Sequence, residues 1–162
     1  MFDGMLTLLA QSAPAEAVRA SHYGFALVNA AHLIGLATLF GSILAMDLRL
    51  LGLFPTVPAQ PLARTLPMIS LAGLALAIPT GLLMFSLDPQ FYAANPAFLT
   101  KITLIGLGVI HAGSMPFSRD WHVLMFEDGT VHPRLRVTAI LSLTIWTSAI
   151  CAGRMIAFVG SG

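Results

Sequence analysis

Four uninterrupted apolar stretches dominate the chain, and each can be measured against the thickness of a bilayer. Crossing ~30 Å of hydrocarbon at 1.5 Å per residue takes about 20 helical residues. The first stretch, Gly24 to Met46, runs 23 residues without a formal charge, and the second, between Arg64 and Asp88, is equally long. The third, Ile102 to Ser118, has 17 residues between Lys101 and Arg119. It reaches spanning length when Lys101 snorkels and the helix starts near Pro96, a residue suited to a first helical turn. The fourth, Val137 to Gly153, also has 17 residues, followed by Arg154 and the apolar MIAFVG; it spans with Arg154 at the far interface. The pattern predicts an all-α integral membrane four-helix bundle. It forms one domain over residues 1–162, with helices over about 14–47, 65–87, 96–118 and 136–160.

Composition agrees with this and narrows the function. Hydrophobic residues make up 57% of the chain and charged residues 9%, against about 25% charged in an ordinary soluble domain. The formal net charge is +1 and there is no run of Lys or Arg, so nothing here neutralises several phosphates and nucleic acid is not the partner. The single cysteine, Cys151, leaves neither a disulfide framework nor a CxxC pair. At the N-terminus, Asp3 stands where a signal peptide needs basic residues, so the segment is expected to be retained. It suits a short interfacial helix, with Ser12 and Pro14 serving as cap and first turn of the next one.

Orientation follows from the basic residues, because short cytoplasmic loops retain Lys and Arg. Arg49, Arg64, Arg119, Arg134 and Arg136 fall on one side, and Arg19, Lys101 and Arg154 on the other. Both termini are therefore expected outside, with Trp121 and Tyr92 at interfaces. Small residues recur every four positions as Ala37, Gly41 and Ala45 on the first helix and as Gly73, Ala77 and Gly81 on the second. Such stripes let backbones approach in lipid, and one of them could support a homodimer. Pro79 removes a backbone donor inside the second helix and is expected to bend it.

Ionisable groups inside hydrocarbon are costly and therefore informative. His32 and His111 lie in the first and third spans. They could simply hydrogen-bond neighbouring helices. The functional expectation is that both ligate the iron of a b-type haem held between helices. Measured from the ends of their apolar stretches, the two differ in depth by ~9 Å, a gap that shrinks if the third helix continues through Trp121 to Phe126 or if the helices tilt. Lys101 and Arg154 are placed to meet haem propionates, and His22 is a weaker further ligand. Copper handling by the same histidines with nearby methionines is the alternative, and a structural subunit without cofactor is another. On the opposite side, Asp47 and Arg49 suit a local pair or helix cap. His122 and His132 lie near Asp120, Glu127 and Asp128, with Asp128 and Gly129 reading as a turn. No serine–base pair, phosphate loop or intramembrane carboxylate pair is present, so hydrolase and NTPase chemistry lack residues to perform them.

The string AHLIGLATLFGSILAMDLRLLGL, then PTGLLMFS, then YAANPAFLTKITLIGLG resembles an uncharacterised family of small four-span bacterial membrane proteins. The carrying residues are His32, Asp47 to Gly52, Thr80 to Phe85, and Asn95, Phe98 and Lys101. The resemblance covers roughly residues 24 to 112 and implies a multi-pass protein of the bacterial inner membrane. The arrangement is also loosely similar to membrane cytochromes b and CopD-like proteins, in which intramembrane histidines serve haem or copper. Together these lead us to expect a haem b protein that passes electrons between quinone, or a periplasmic redox protein, and another partner.

Overall fold

The computed structural model describes residues 2–127 and 129–159, apart from the side chains of Phe2 and Asp3. Four helices in it are long and apolar enough to cross a membrane: α3 (Gly24–Leu50), α4 (Ala59–Leu87), α6 (Pro96–Ser114, continued by a 3-10 turn over Met115–Phe117) and α8 (Pro133–Met155). Between them lie the short helices α5 (Pro89–Ala94) and α7 (Arg119–Phe126), and ahead of them α1 (Phe2–Ala10) and α2 (Ala13–Ala20). The protein is a multi-pass membrane protein whose spans turn large apolar side chains such as Ile34, Leu71, Ile110 and Val137 outward.

Several boundaries differ from the sequence expectation, each for a local reason. The first span does not begin near residue 14, because the chain turns at Ser21–Tyr23 and separates α2 from α3. Ser12 does precede α2 with Pro14 in its first turn, although the Ser12 hydroxyl makes no capping bond. At its far end α3 closes with a Schellman motif: Leu53 N–H donates to the Leu48 carbonyl and Gly52 N–H to that of Arg49, with Gly52 at φ 100°. The third helix does not continue through Trp121 to Phe126; Pro116 interrupts it, and α7 starts anew after Ser118. The second span, α4, starts at Ala59 rather than 65 and runs unbroken through Pro67 and Pro79.

Packing makes two tight pairs, α3 on α4 and α6 on α8, joined where α3 meets α8. Among the described residues α4 and α6 make no close backbone approach, nor do α3 and α6. The α3–α4 seam uses the expected small residues of α4: a Cβ on Gly73 would lie 2.5 Å from the Leu39 nitrogen. On α3, however, the matching residue is Gly35, whose Cβ would meet the Ala77 nitrogen at 2.9 Å. Ala37, Gly41 and Ala45 are exposed, with nothing within 4 Å of a Cβ built on Gly41. In the second pair, Gly108 makes room for the Trp146 ring.

Polar ties fix the ends. Arg19 donates to the carbonyls of Ala10, Ser86 and Leu87, binding α1 and α2 to the C-terminal end of α4, where the helix dipole is negative. Asn95 caps α6 through the Ala97 and Phe98 amides and donates to the Ile156 and Val159 carbonyls at the end of α8. Phe85, Tyr92 and Phe98 cluster between α4, α5 and α6, with Phe85 stacked on Phe98 at 5.4 Å. These contacts lie at the end shared by both termini. At the distal end, Gln60 and Arg64 both donate to the Met125 carbonyl and draw α7 across α4.

Candidate functional site

The space left where α4 and α6 fail to meet is a half-open chamber of about 600 Å³ in the distal half of the bundle. Its walls are mostly apolar and include Leu39, Leu71, Val109 and the methionines Met46, Met115 and Met125. Such a volume lies within the range of pockets that hold cofactor-sized molecules. Both tryptophans of the chain, Trp121 of α7 and Trp146 of α8, line it.

Two polar groups on the wall have spare hydrogen-bonding capacity. Asp47 is only 6% exposed, lies near Ser142 of α8, and has no hydrogen-bond partner for its buried Oδ2. His111 presents Nε2 to the Thr138 carbonyl at 3.2 Å. A carbonyl only accepts, so in the neutral ring Nε2 carries the proton and Nδ1 keeps its lone pair. Ser42, Ser70 and Ser142 also line the chamber, and the Ser42 hydroxyl is already given to the Thr38 carbonyl. Arg64 and His122 stand at the distal rim.

His32 lies elsewhere. Its Nδ1 faces the Ala77 carbonyl at 3.0 Å and the Thr80 hydroxyl oxygen at 3.1 Å. Because Thr80 gives its own proton to the Leu76 carbonyl, Nδ1 is the donor and Nε2 keeps the lone pair. Gly81 makes this position available, since a Cβ there would meet the ring carbon Cε1 at 3.0 Å. On α4 the chamber ends at Leu74, so the Thr80 contact is six residues, about 9 Å, beyond it.

The remaining expected residues divide the same way. Lys101 lays its stem across Gly153 of α8 and acts electrostatically on His32. Along α8, Gly153 is 15 residues or about 22 Å from Thr138, the partner of His111. Arg154 is exposed and its guanidinium stacks 5.5 Å from the centre of the Phe158 ring. His22 is exposed in the turn before α3, edge-on to Tyr23 at 4.7 Å. The structure therefore groups His32 with Lys101 toward the termini and His111 with Asp47 in the distal chamber. It does not seat the two imidazoles on a common partner.

Residues 20–159, which take in all four spans, the chamber and the His32 contact, match the model of a family of unknown function, DUF6644. The chain belongs to that family. No curated protein and no solved structure matches it. The DUF6644 match leaves α1 and most of α2, including Arg19, outside and covers every residue that lines the chamber.

Asp47 is the residue whose role the sequence hid. It does not pair with Arg49, which donates instead to the Val57 and Pro55 carbonyls. Its position beside the apolar run read as a helix end, and its neighbour Ser142 lies 95 residues away. His122 forms an exposed 3.6 Å pair with Glu127. Among the described residues no three of His, Cys, Asp and Glu converge as metal ligands; Asp128 lies outside them.

Proposed function

We propose that the protein is an electron-transfer component of its membrane, whose distal chamber receives a lipid-soluble, ring-shaped redox molecule. The observation that carries this reading is the combination of a large apolar chamber at membrane depth with the His111 imidazole and the side chain of Asp47 among its lining residues. An apolar pocket with a few polar groups converging on it is the usual form of a small-molecule site. A buried ionisable group in a span is retained when it meets a substrate or a proton.

A b-type haem at His32 is the second reading, and one observation favours it. Ligating histidines commonly give their other N–H to a backbone carbonyl, and His32 does so to Ala77, leaving Nε2 for a metal. Lys101 is the nearby cation for a propionate. The chamber's His111 and methionines offer the ligand types that copper takes. The uncovered stripe of Ala37, Gly41 and Ala45 supports a homodimer.

The deciding experiment is an absorption spectrum of detergent-purified protein, oxidised and reduced, with metal analysis and organic extraction of the same sample. A Soret band lost in His32→Ala and kept in His111→Ala supports the haem reading. Copurified quinone lost in His111→Ala or Asp47→Asn supports the chamber reading. Copper without either replaces both, and a sample free of haem, quinone and metal from cells that make all three sinks the redox proposal.

A further inference from the structure

The geometry points to Trp146 as the residue that recognises the ring of the chamber's ligand: Gly108 holds the indole in place, and the indole N–H donates to an oxygen on that ring. This rests on the chamber reading given above and adds the contact that separates an oxygen-bearing ring from plain hydrocarbon.

Trp146 is clamped on one side. A Cβ built on Gly108 would lie 2.8, 2.8 and 3.3 Å from the ring atoms Cε2, Cζ2 and Cη2. Such similar distances to three consecutive ring atoms put the glycine over the face of the indole, since an approach at the edge would leave the third atom much farther off. The residue as a whole is only 5% exposed. Its nitrogen is nonetheless unspent. Among the described residues Trp146 donates to no group, and the fully buried side-chain nitrogens and oxygens without a partner come down to Asp47 Oδ2 alone. The indole N–H is therefore both unpartnered and part of the little of Trp146 that stays uncovered. Trp146 lines the chamber, so the chamber is where an acceptor reaches it.

Depth makes the free donor informative. Trp146 lies 13 residues, ~20 Å, along α8 from Pro133 and nine residues, ~14 Å, from Met155. A tryptophan at a membrane interface gives its N–H to water or headgroups, and neither is present at this depth. A donor unpaired in hydrocarbon is the expensive case. Along α8, Thr138, Ser142 and Trp146 recur every four residues on the chamber wall, and on this helix the chamber ends at Trp146. The indole thus stands at the inner end of the site. Oxygens of a quinone and of its quinol both accept, so Trp146 reads the ring oxygen in either oxidation state.

The test uses the full-length protein in detergent, titrated with decylubiquinone and with decylbenzene, which has a ring and a tail but no acceptor. Trp146→Phe keeps an aromatic ring over Gly108 and removes the N–H. The expected result is that it weakens decylubiquinone binding about fivefold to tenfold and leaves decylbenzene binding unchanged. An equal loss for both ligands shows that Trp146 only fills space and overturns the inference, as does an unchanged affinity for decylubiquinone.

A second measurement leaves Trp146 intact. Isotopically labelled tryptophan gives one indole N–H signal in NMR for each of the two tryptophans, and Trp121→Phe identifies the one from Trp146. Decylubiquinone is expected to move that proton downfield and decylbenzene to leave it in place; a signal unmoved by decylubiquinone overturns the inference even where Trp146→Phe fails to fold. Decylubiquinone binding that is lost in His111→Ala while the Trp146 signal stays unmoved leaves the chamber reading standing without this contact. A wild-type protein that binds no decylubiquinone sinks both.

Discussion

At the scale of single residues, glycines and one asparagine show how little tolerance the bundle has at its seams. Gly73 approaches Leu39 so closely that a methyl group would strike backbone, whereas Gly41 faces open space. Gly73→Ala is expected to destabilise the protein by about 1–3 kcal/mol through overpacking, and Gly41→Ala to leave the fold's stability nearly unchanged. Thermal unfolding of the two variants in one detergent makes the comparison. Asn95→Ala removes a helix cap and the ties to the end of α8 together; a loss of about 1–3 kcal/mol is expected from the unpaired buried groups. Burial first, and the Asp88 carboxylate second, push the Tyr92 phenol above its ordinary 10.0. Because folding raises this value, the contribution of the neutral phenol is complete below about pH 10 and is lost as pH climbs through the raised value. Asp88→Asn should bring Tyr92 ionisation to lower pH in a spectrophotometric alkaline titration, and an unmoved midpoint would refute the assignment to Asp88.

At the scale of elements, the spans and the stops between them respond to different information. Span number and approximate position were legible because charge-free length is a property of consecutive residues: Gly24 to Met46 could be nothing shorter than a crossing. The α4 stripe of Gly73, Ala77 and Gly81 was legible for the same reason, being periodic along one helix. The equivalent pattern on α3 misled, because Ala37, Gly41 and Ala45 repeat as well as Gly35 and Leu39 pack, and only the partner's shape decides between two faces. The chamber was illegible. Asp47, His111, Ser142 and Trp146 come from three helices, and no local signal links a carboxylate at a helix end to a serine three spans further on. The separation of His32 from His111 was hidden by uncertainty about where the third helix stops, which Pro116 settles. Arg19 links elements as well, and Arg19→Ala should free α1 and α2 from the end of α4. Limited proteolysis of that variant is expected to cut between Ser12 and Tyr23 at a rate that spares α3 to α8; equal resistance in both proteins would show that Arg19 holds nothing.

At the scale of the whole molecule, four crossings return the chain to the side on which it began, so reporters fused at either end should give the same localisation signal, and opposite signals would exclude the fold. The distribution of arginines predicts that this side is the periplasmic one. Within the bundle, two helix pairs meet along one edge and diverge along the other, like a book opened part-way. Among the described residues the backbones of α4 and α6 stay apart along the fore-edge, and only the Phe85–Phe98 stack near the termini bridges them; in a bilayer, acyl chains would lie against the open part. A molecule bound inside is thus drawn from the bilayer's own solutes, at the concentration the lipid dissolves, and changing the thickness or order of those chains would retune occupancy without altering a single amino acid.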